Sequence, residues 1–306
     1  MDGFASTTTP ARSGSVDPLV RWIAWGTMLV GSAIPEILCQ KSRQDTPPWI
    51  PLTQCTLLLV VALVSQRSDR LRPLVRFILA LTALWLGWYV VTPWLGTTEF
   101  VQHWSERSNW GARLMIARIL PVSGALLMCV TLIGSGLSRA DLFLRIGDLA
   151  APAQPTPVFP FRKPISWMWF GPALLVVFGI ALPLFLDATV RPNLATNHRI
   201  IQYLPWIIAV ALLNAANEEF QFRNVLLAHL RNVITPSDAV LLTAIFFGVG
   251  HYYGQPSGPI GVVMAAFAGW IWARSMVETR GSGWAFSIHV VQDIVIFCFL
   301  AMATTG

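Results

Sequence analysis

The chain has 306 residues, of which 55% are hydrophobic and only 12% are charged. Typical soluble domains are roughly 45–50% apolar and about 25% charged, so this composition excludes an ordinary soluble protein and is typical of a polytopic membrane protein. The formal net charge is +6, but the basic residues are scattered among short loops and form no patch interleaved with aromatic residues. This pattern excludes a nucleic-acid-binding domain, so we expect no nucleic-acid partner.

Apolar runs long enough to cross a bilayer recur along the whole chain. A spanning helix needs about 20 mostly apolar residues, and backbone polar groups in lipid must be satisfied within each segment, which requires helices. Nine runs fit this description, near residues 19–38, 49–65, 74–95, 114–137, 165–187, 203–223, 238–253, 258–277 and 284–303. Because the second and seventh runs are short, the sequence predicts an all-α, polytopic transmembrane bundle of eight to nine spans.

Changes in composition divide the chain into four parts. Residues 1–18 are polar and are expected to form a cytoplasmic tail, and residues 19–137 are expected to form a four-helix membrane extension, hereafter the N-terminal extension. Residues 138–164 combine an amphipathic stretch, typical of a short interfacial helix, with a Pro-rich run, typical of a semi-rigid linker. Residues 165–306 are predicted to form the membrane core that carries the chemistry.

The distribution of basic residues in the loops predicts an orientation. With nine spans, more Lys and Arg residues fall on the N-terminal side than on the opposite side, which favours a cytoplasmic N-terminus. The excess of Arg over Lys and the single-chain organisation are compatible with a bacterial plasma membrane. The four cysteines are far apart and form no C-x-x-C motif, so we expect no cysteine-based metal or redox site.

Ionisable side chains inside the spans concentrate in the C-terminal half. Such groups cost about 2.5–3.5 kcal/mol at the bilayer centre on insertion scales, so each is a functional candidate. In the N-terminal half, Glu36 and Arg118 lie near the ends of spans, where they can reach the interface or pair with each other. In the C-terminal half, nearly all such residues fall in three polar strings, Asn217–Arg223, Phe247–His251 and His289–Asp293. The histidines outside these strings, at positions 103, 198 and 229, are expected to be solvated.

Helix geometry predicts how these strings are oriented. Glu219 and Arg223 are four residues apart, so they share a face and are expected to form an ion pair. Glu218 is rotated by about 100° from Glu219 and is therefore left free of that pair. His289 and Asp293 are also four residues apart and project together from another helix.

Three helices can bring these groups to one pocket. Counted at about 1.5 Å per residue from the connecting loops, Glu218, His251 and His289 lie at similar depths, provided that the helix after Arg223 has left the hydrocarbon. A shielded carboxylate can act as a general base toward a water, one imidazole can orient that water, and the other can donate to an oxyanion. This set predicts amide hydrolysis without a covalent intermediate. The same glutamate and two histidines could instead bind a divalent metal such as zinc, although no cofactor is required.

The three polar strings resemble the E-E-x-x-x-R, F-x-x-x-H and H-x-x-x-(N/D) motifs of the CPBP family. These are CAAX-type and bacteriocin-processing (Abi-type) membrane proteases, and they are similar to the type II CAAX prenyl endopeptidases. All three motifs occur in the expected order on successive hydrophobic helices over roughly residues 165–303. The resemblance implies an intramembrane endopeptidase that acts on a peptide or membrane-protein substrate in the lipid bilayer.

The resemblance also implies roles for the four candidate catalytic residues. Glu218 would be the base that activates water, assisted by His251. His289 and Asp293 match the pair that binds the oxyanion or positions the water. Where the family has Asn, a neutral amide can donate to an oxyanion, whereas an ionised Asp293 cannot. This residue must therefore be protonated, or it must act by orienting His289.

The remaining motif residues are expected to support the site. Glu219 and Arg223 would hold the first helix through their ion pair, and Phe247 would be a packing residue. Three alternatives stay open from the sequence: a metal-dependent form of the same protease, a non-catalytic membrane scaffold or bacteriocin-immunity protein, and, more weakly, a transporter. The N-terminal extension matches no motif and is expected to pack on the core or gate it.

Overall fold

Helices account for nearly all the regular structure in the computed structural model, which describes residues 17–43, 47, 49–190 and 194–303. The described helices are α1 (Pro18–Val30), α2 (Ile34–Arg43), α3 (Trp49–Gln66), α4 (Val75–Leu86), α5 (Thr92–Gly96), α6 (Glu99–Arg107), α7 (Trp110–Ile119), α8 (Val122–Leu132), α9 (Trp167–Val190), α10 (His198–Glu219), α11 (Ala228–Leu230), α12 (Pro236–Gly250), α13 (Gly258–Thr279) and α14 (Gly283–Ala303). Two short strands, β1 (Pro152–Ala153) and β2 (Ile165–Ser166), pair antiparallel.

The expected tail at residues 1–18 lies outside the described residues, apart from Asp17 and Pro18. The Asp17 carboxylate accepts a hydrogen bond from the backbone N–H of Leu19 at 2.9 Å and so caps α1. Pro18 occupies the first turn of α1, where its missing N–H has no intrahelical role.

The protein is an integral, multi-pass membrane protein with slightly fewer spanning helices than the maximum expected. Within the described ranges, seven helical segments are long and apolar enough to span a bilayer: Trp49–Gln66, Arg72–Gly96, Trp110–Leu132, Trp167–Thr189, His198–Leu230, Gly258–Thr279 and Gly283–Ala303. The described residues contain an eighth if α1 and α2, which meet at 49°, are counted as one bent span. The expectation of nine is wrong because α12 has only 15 residues. At about 1.5 Å per residue it is about 22 Å long, less than a hydrocarbon core of about 30 Å.

Contacts between loops bring the two halves of the chain together at one end of the bundle. Arg21 at the start of α1 forms an ion pair with Asp238 at the start of α12, with Nη2 and Oδ1 2.9 Å apart. Asp141 and Arg231 form another, at 2.6 Å. Hydrogen bonds from Ser138, together with Arg231, hold the pKa of the Asp141 carboxyl below its usual range. The loops that the distribution of basic residues assigns to the N-terminal side therefore lie next to one another.

The amphipathic stretch at residues 138–148 forms turns instead of the expected interfacial helix. Its backbone groups bond to the connection between α13 and α14, where Asp148 N donates to the Thr279 carbonyl at 2.8 Å. Gly147 has a φ of 84°, and a Cβ there would overlap this connection. Leu142 and Phe143 are buried and pack into the protein, whereas Leu144 and Ile146 are exposed. The prediction of an interfacial helix was wrong because the same pattern is satisfied by turns that pack on the core.

The Pro-rich run is also packed on the core. Its strand β1 pairs with β2, and Ala153 is fully buried. The Arg274 guanidinium of α13 donates to the Gln154 carbonyl at 2.8 Å. This part of the expected linker is therefore held in place by α13.

Two membrane helices widen into π-helical segments, at Gly87–Val91 in the span at residues 72–96 and at Phe220–Leu227 after α10. The second segment begins directly after Glu219 and contains Arg223. Its residues from Gln221 onward are buried, and so is α11. The helix therefore does not become solvated directly after Arg223 but continues inside the protein.

Candidate active site

The three polar strings meet where α10, α12 and α14 pack together. Glu218 and Glu219 are the last two residues of α10. His251 begins the short turn that follows α12, and His289 lies in the second turn of α14. The strings therefore come together although they are far apart in the sequence.

His289 is the residue that joins the acidic groups. Its Nδ1 lies 2.8 Å from Glu219 Oε1, and because a carboxylate accepts, Nδ1 donates this hydrogen bond. Its Nε2 faces Glu218 Oε2 at 3.4 Å and Asp293 Oδ1 at 3.7 Å. The imidazole stacks on Trp272 with ring centroids 4.0 Å apart. The ring is thus fixed by one short hydrogen bond and one aromatic face, with its second nitrogen directed at two carboxylates.

Glu219 and Arg223 form the predicted ion pair inside the bundle. Arg223 Nη1 lies 3.1 Å from Glu219 Oε1, and both side chains are buried. The guanidinium lies 4.3 Å from the ring centroid of Phe247 and 5.0 Å from that of Trp272. Gly269 leaves room for it, since a Cβ there would overlap Nη2. The Arg223 charge is therefore held by one carboxylate and two aromatic faces.

Glu218 differs from its neighbour Glu219 in exposure and in partners. The Glu218 side chain is 18% exposed and that of Glu219 is 2% exposed. Glu218 Oε2 makes no hydrogen bond within the described part of the chain, because its 3.4 Å approach to His289 lacks suitable geometry. The carboxylate predicted to be free of the Arg223 pair is therefore free of it, and its ionic contact is with His289.

His251 lies at the edge of a cavity of about 350 Å³. Its Nδ1 donates to the carbonyl of Phe247 at 3.0 Å, which leaves Nε2 as the ring nitrogen available to a ligand. His289 and Asp293 also line this cavity, while α9 and α13 supply mostly apolar walls. The cavity is thus apolar except at Gln255 and where the polar strings meet it.

Asp293 is held by Asn214, a residue to which none of the three motifs assigns a role. Asn214 Nδ2 donates to Asp293 Oδ2 at 3.0 Å, so Asp293 acts as an acceptor in this contact. Asn214 precedes Glu218 by four residues on α10, so the two side chains share a face of the helix. This spacing could have indicated that Asn214 lies near the site. Trp272 was also missed, since a tryptophan in an apolar helix carries no local signal of its stacking on His289.

Arg118 also lies near the site, which the sequence did not predict. It does not pair with Glu36, because neither residue forms an ion pair within 4.0 Å in the described ranges. Its guanidinium lies 5.5 Å from the Phe297 ring, one helical turn beyond Asp293. It is close enough to interact electrostatically with Glu218 and Asp293. The N-terminal extension therefore supplies a cation to the edge of the site.

The histidines outside the polar strings differ in their surroundings. His103 and His198 are exposed, as expected. His229 is buried at 7% exposure, so the expectation that it is solvated was wrong. The reason is that the helix continues inside the protein through the π-helical segment and α11.

The fit of the site to a metal depends on its donor geometry. Across the part of the chain that is described, no group of three or more His, Cys, Asp or Glu side chains is arranged to hold a metal ion. In the set Glu218, His251 and His289, each imidazole uses Nδ1 in a hydrogen bond and keeps Nε2. The described side chains therefore give no geometric support to the metal centre considered from the sequence.

Comparison with known families bears on this region of the chain. Residues 200–295 match the family model described as "Type II CAAX prenyl endopeptidase Rce1-like". Over these residues the chain is similar to that family. The match contains all three polar strings, so the resemblance predicted from them is confirmed, and it points to a CAAX-type membrane protease. The N-terminal extension lies outside the match. Comparisons with curated proteins and with solved structures find no match.

Proposed function

We propose that this protein is a membrane-embedded endopeptidase in which Glu218 activates a water that attacks a peptide bond. The observation that carries the proposal is the unequal use of two adjacent carboxylates. Glu219 is bound to Arg223 and His289, whereas Glu218 Oε2 faces His289 without a hydrogen bond. A general base must have an oxygen available for the proton that it takes, and Glu218 meets this requirement.

The reaction needs one water and no covalent intermediate. The water oxygen bonds to the peptide carbonyl carbon while Glu218 accepts the water proton. The C–N bond then breaks, and the same proton passes to the leaving amine. Proton transfer by a positioned side chain contributes about 10²–10⁴-fold to a rate, which is the size of effect assigned to Glu218.

His289 stabilises the negative charge that develops on the carbonyl oxygen. Glu219 accepts from Nδ1, so Nε2 is the nitrogen that faces the reacting groups, and it donates to the oxyanion in the form of the imidazole that carries a proton on both nitrogens. Asp293 accepts from Asn214 and lies 3.7 Å from His289 Nε2, which supports an orienting role for Asp293 over a direct oxyanion contact. His251, with Nε2 available at the cavity, orients the water. A single oxyanion donor contributes about 10²–10³-fold in known enzymes.

The proposed reaction uses no metal. Its support is that Glu218, His251 and His289 are not grouped as metal ligands in the described part of the chain. We expect purified, active protein to contain no stoichiometric zinc and to keep its rate in the presence of a chelator. Loss of cleavage on chelation, with recovery on adding zinc, would replace this proposal by the metal-dependent form.

The proposed setting is a bacterial plasma membrane, with the N-terminus in the cytoplasm and a peptide or membrane protein as substrate. Comparing the membrane peptidomes of a wild-type strain and a strain carrying Glu218→Gln tests the proposal and identifies substrates. Uncut precursors should accumulate in the variant strain, with cleavage sites near or within the bilayer. A strain carrying Glu99→Gln, an exposed glutamate on α6, is the matched control.

A non-catalytic scaffold is the competing function. It predicts identical peptidomes in the wild-type and Glu218→Gln strains, and it predicts that Glu218→Ala restores the phenotype of a deletion strain.

A further inference from the structure

We propose that the N-terminal extension positions His251 for the reaction through a contact between α2 and the turn that follows α12. The effect on catalysis rests on the proposed function, whereas the contact itself can be measured independently. The turn comprises residues 251–257, and we call it the His251 turn. It carries the imidazole at one end, and Gln255 and Pro256 form part of the cavity wall.

The inner side of the His251 turn packs directly on the backbone of α13. Gly261 makes this close approach, because a Cβ there would overlap the Pro256 carbonyl oxygen and lie 3.0 Å from the His251 carbonyl oxygen. Gly254 N donates to the His251 carbonyl at 2.9 Å and closes the turn. The inner side is therefore set by the membrane core.

The outer side of the His251 turn is held by two consecutive residues of α2. The Tyr253 hydroxyl donates to Gln40 Oε1 at 2.8 Å. The Lys41 ammonium lies 5.8 Å from the ring centroid of Tyr252, within the range of a cation–π contact. These contacts join residues more than 200 positions apart and tie the turn to the N-terminal extension.

The helix α2 is itself anchored inside the N-terminal extension. Glu36 lies one turn before Gln40 on α2 and is buried. Its carboxyl lies beside the hydroxyl of Tyr89, in the π-helical segment Gly87–Val91. The ring of Tyr89 stacks on Trp85, with ring centroids 4.1 Å apart. The position of Gln40 is thus fixed by buried groups, so α2 can hold the turn in place.

This contact matters for His251 because the hydrogen bond from Nδ1 to the Phe247 carbonyl fixes only the ring. The backbone N–H of His251 bonds to the last turn of α12, while its carbonyl and the following residues belong to the His251 turn, so a shift of the turn changes the position of Nε2. A displacement of about 1 Å at a reacting group can lower a rate by about 10²-fold. We therefore assign Gln40 and Tyr253 as positioning residues that act through His251.

The experiment removes either partner of the hydrogen bond from the full-length protein. Gln40→Leu and Tyr253→Phe should each make amide hydrogen exchange across the His251 turn about two- to tenfold faster and lower kcat by a similar factor, with KM unchanged. The double variant should be no worse than either single variant, because both remove the same bond. Gln40→Glu keeps the acceptor and should restore both quantities.

Two matched controls test the specificity of the effect. Tyr252→Phe removes a hydroxyl that makes no hydrogen bond to any described residue, and Gln66→Leu alters an exposed glutamine on α3. Both should leave exchange and kcat unchanged. Unchanged exchange in Gln40→Leu and Tyr253→Phe, or faster exchange with unchanged kcat, would overturn the proposal. If the wild-type protein cleaves nothing, the proposed function fails, and unchanged exchange would still show separately that α2 does not hold the turn.

Discussion

The two π-helical segments, Gly87–Val91 and Phe220–Leu227, show the same widening of a helix used in different ways. In the first, Gly87 packs against Gly124 so closely that a Cβ on Gly87 would overlap the Gly124 backbone. Ser123 Oγ donates to the carbonyl of Gly87 at 3.0 Å. This segment thus brings two helices of the N-terminal extension together. Two glycines allow the close approach, and the Ser123 hydroxyl bonds to the Gly87 carbonyl.

The second segment accommodates a charged side chain inside the bundle, whereas the first accommodates the backbone of a neighbouring helix. It begins after Glu219 and places Arg223 between aromatic rings, with the Glu219 carboxylate as its ionic partner. The same carboxylate accepts from His289. A π-helical segment therefore does not by itself indicate a catalytic site. What distinguishes the second segment is a buried ion pair that also fixes an imidazole.

The largest expected effect comes from removing the charge inside the second segment. Arg223→Met leaves the Glu219 carboxylate buried without its cationic partner, and breaking one side of a buried pair costs about 3–5 kcal/mol. We expect a large fall in the unfolding temperature in detergent together with loss of cleavage. Arg223→Lys keeps the charge and should lose less of both. A variant Arg223→Met of wild-type stability would show that the ion pair does not hold the helix.

A smaller effect is expected from filling the first segment. Gly87→Ala forces α8 away from the helix at residues 72–96, and overpacking of this kind costs about 1–3 kcal/mol. The unfolding temperature should fall, while kcat of the folded fraction should stay within about twofold of wild type. Gly26→Ala, at a position with open space around it, is the control. A selective loss of kcat in Gly87→Ala would remove the distinction between the two segments.

The smallest effect is expected beside the second segment, at the hydrogen bond that holds Asp293. Asn214→Ala removes a neutral donor, a loss of about 0.5–1.5 kcal/mol, and should lower kcat by about two- to tenfold with little change in stability. A double variant that exchanges the partners, Asn214→Asp with Asp293→Asn, keeps a donor facing an acceptor. It should recover part of the rate. No difference in kcat between Asn214→Ala and wild type would exclude an orienting role for Asp293.

Local patterns were sufficient for the features that depend on one helix. The apolar runs predicted the long spans, and i,i+4 spacing predicted the ion pair of Glu219 with Arg223. The rotation of about 100° between successive residues separated Glu218 from that pair. Each of these features is set by helix periodicity, which a sequence displays directly.

Features that depend on packing between segments could not be read in this way. The π-helical segment keeps Asn224 and His229 inside the protein, whereas the sequence favoured a solvated helix end. The stretch at residues 138–148 has helical periodicity but uses its backbone groups on another loop. Arg118 approaches the site from the N-terminal extension, and no spacing within its own helix indicates this contact.

The most direct test compares Glu218→Gln with Glu219→Gln in purified protein, measuring kcat and the unfolding temperature of both variants. Glu218→Gln should lower kcat by at least about 10²-fold and leave the unfolding temperature near that of wild type, because Glu218 Oε2 makes no hydrogen bond to any described residue. Glu219→Gln should lower the unfolding temperature, since Arg223 loses its buried ionic partner. Near-normal kcat in folded Glu218→Gln would contradict the assignment of this residue as the base that activates water.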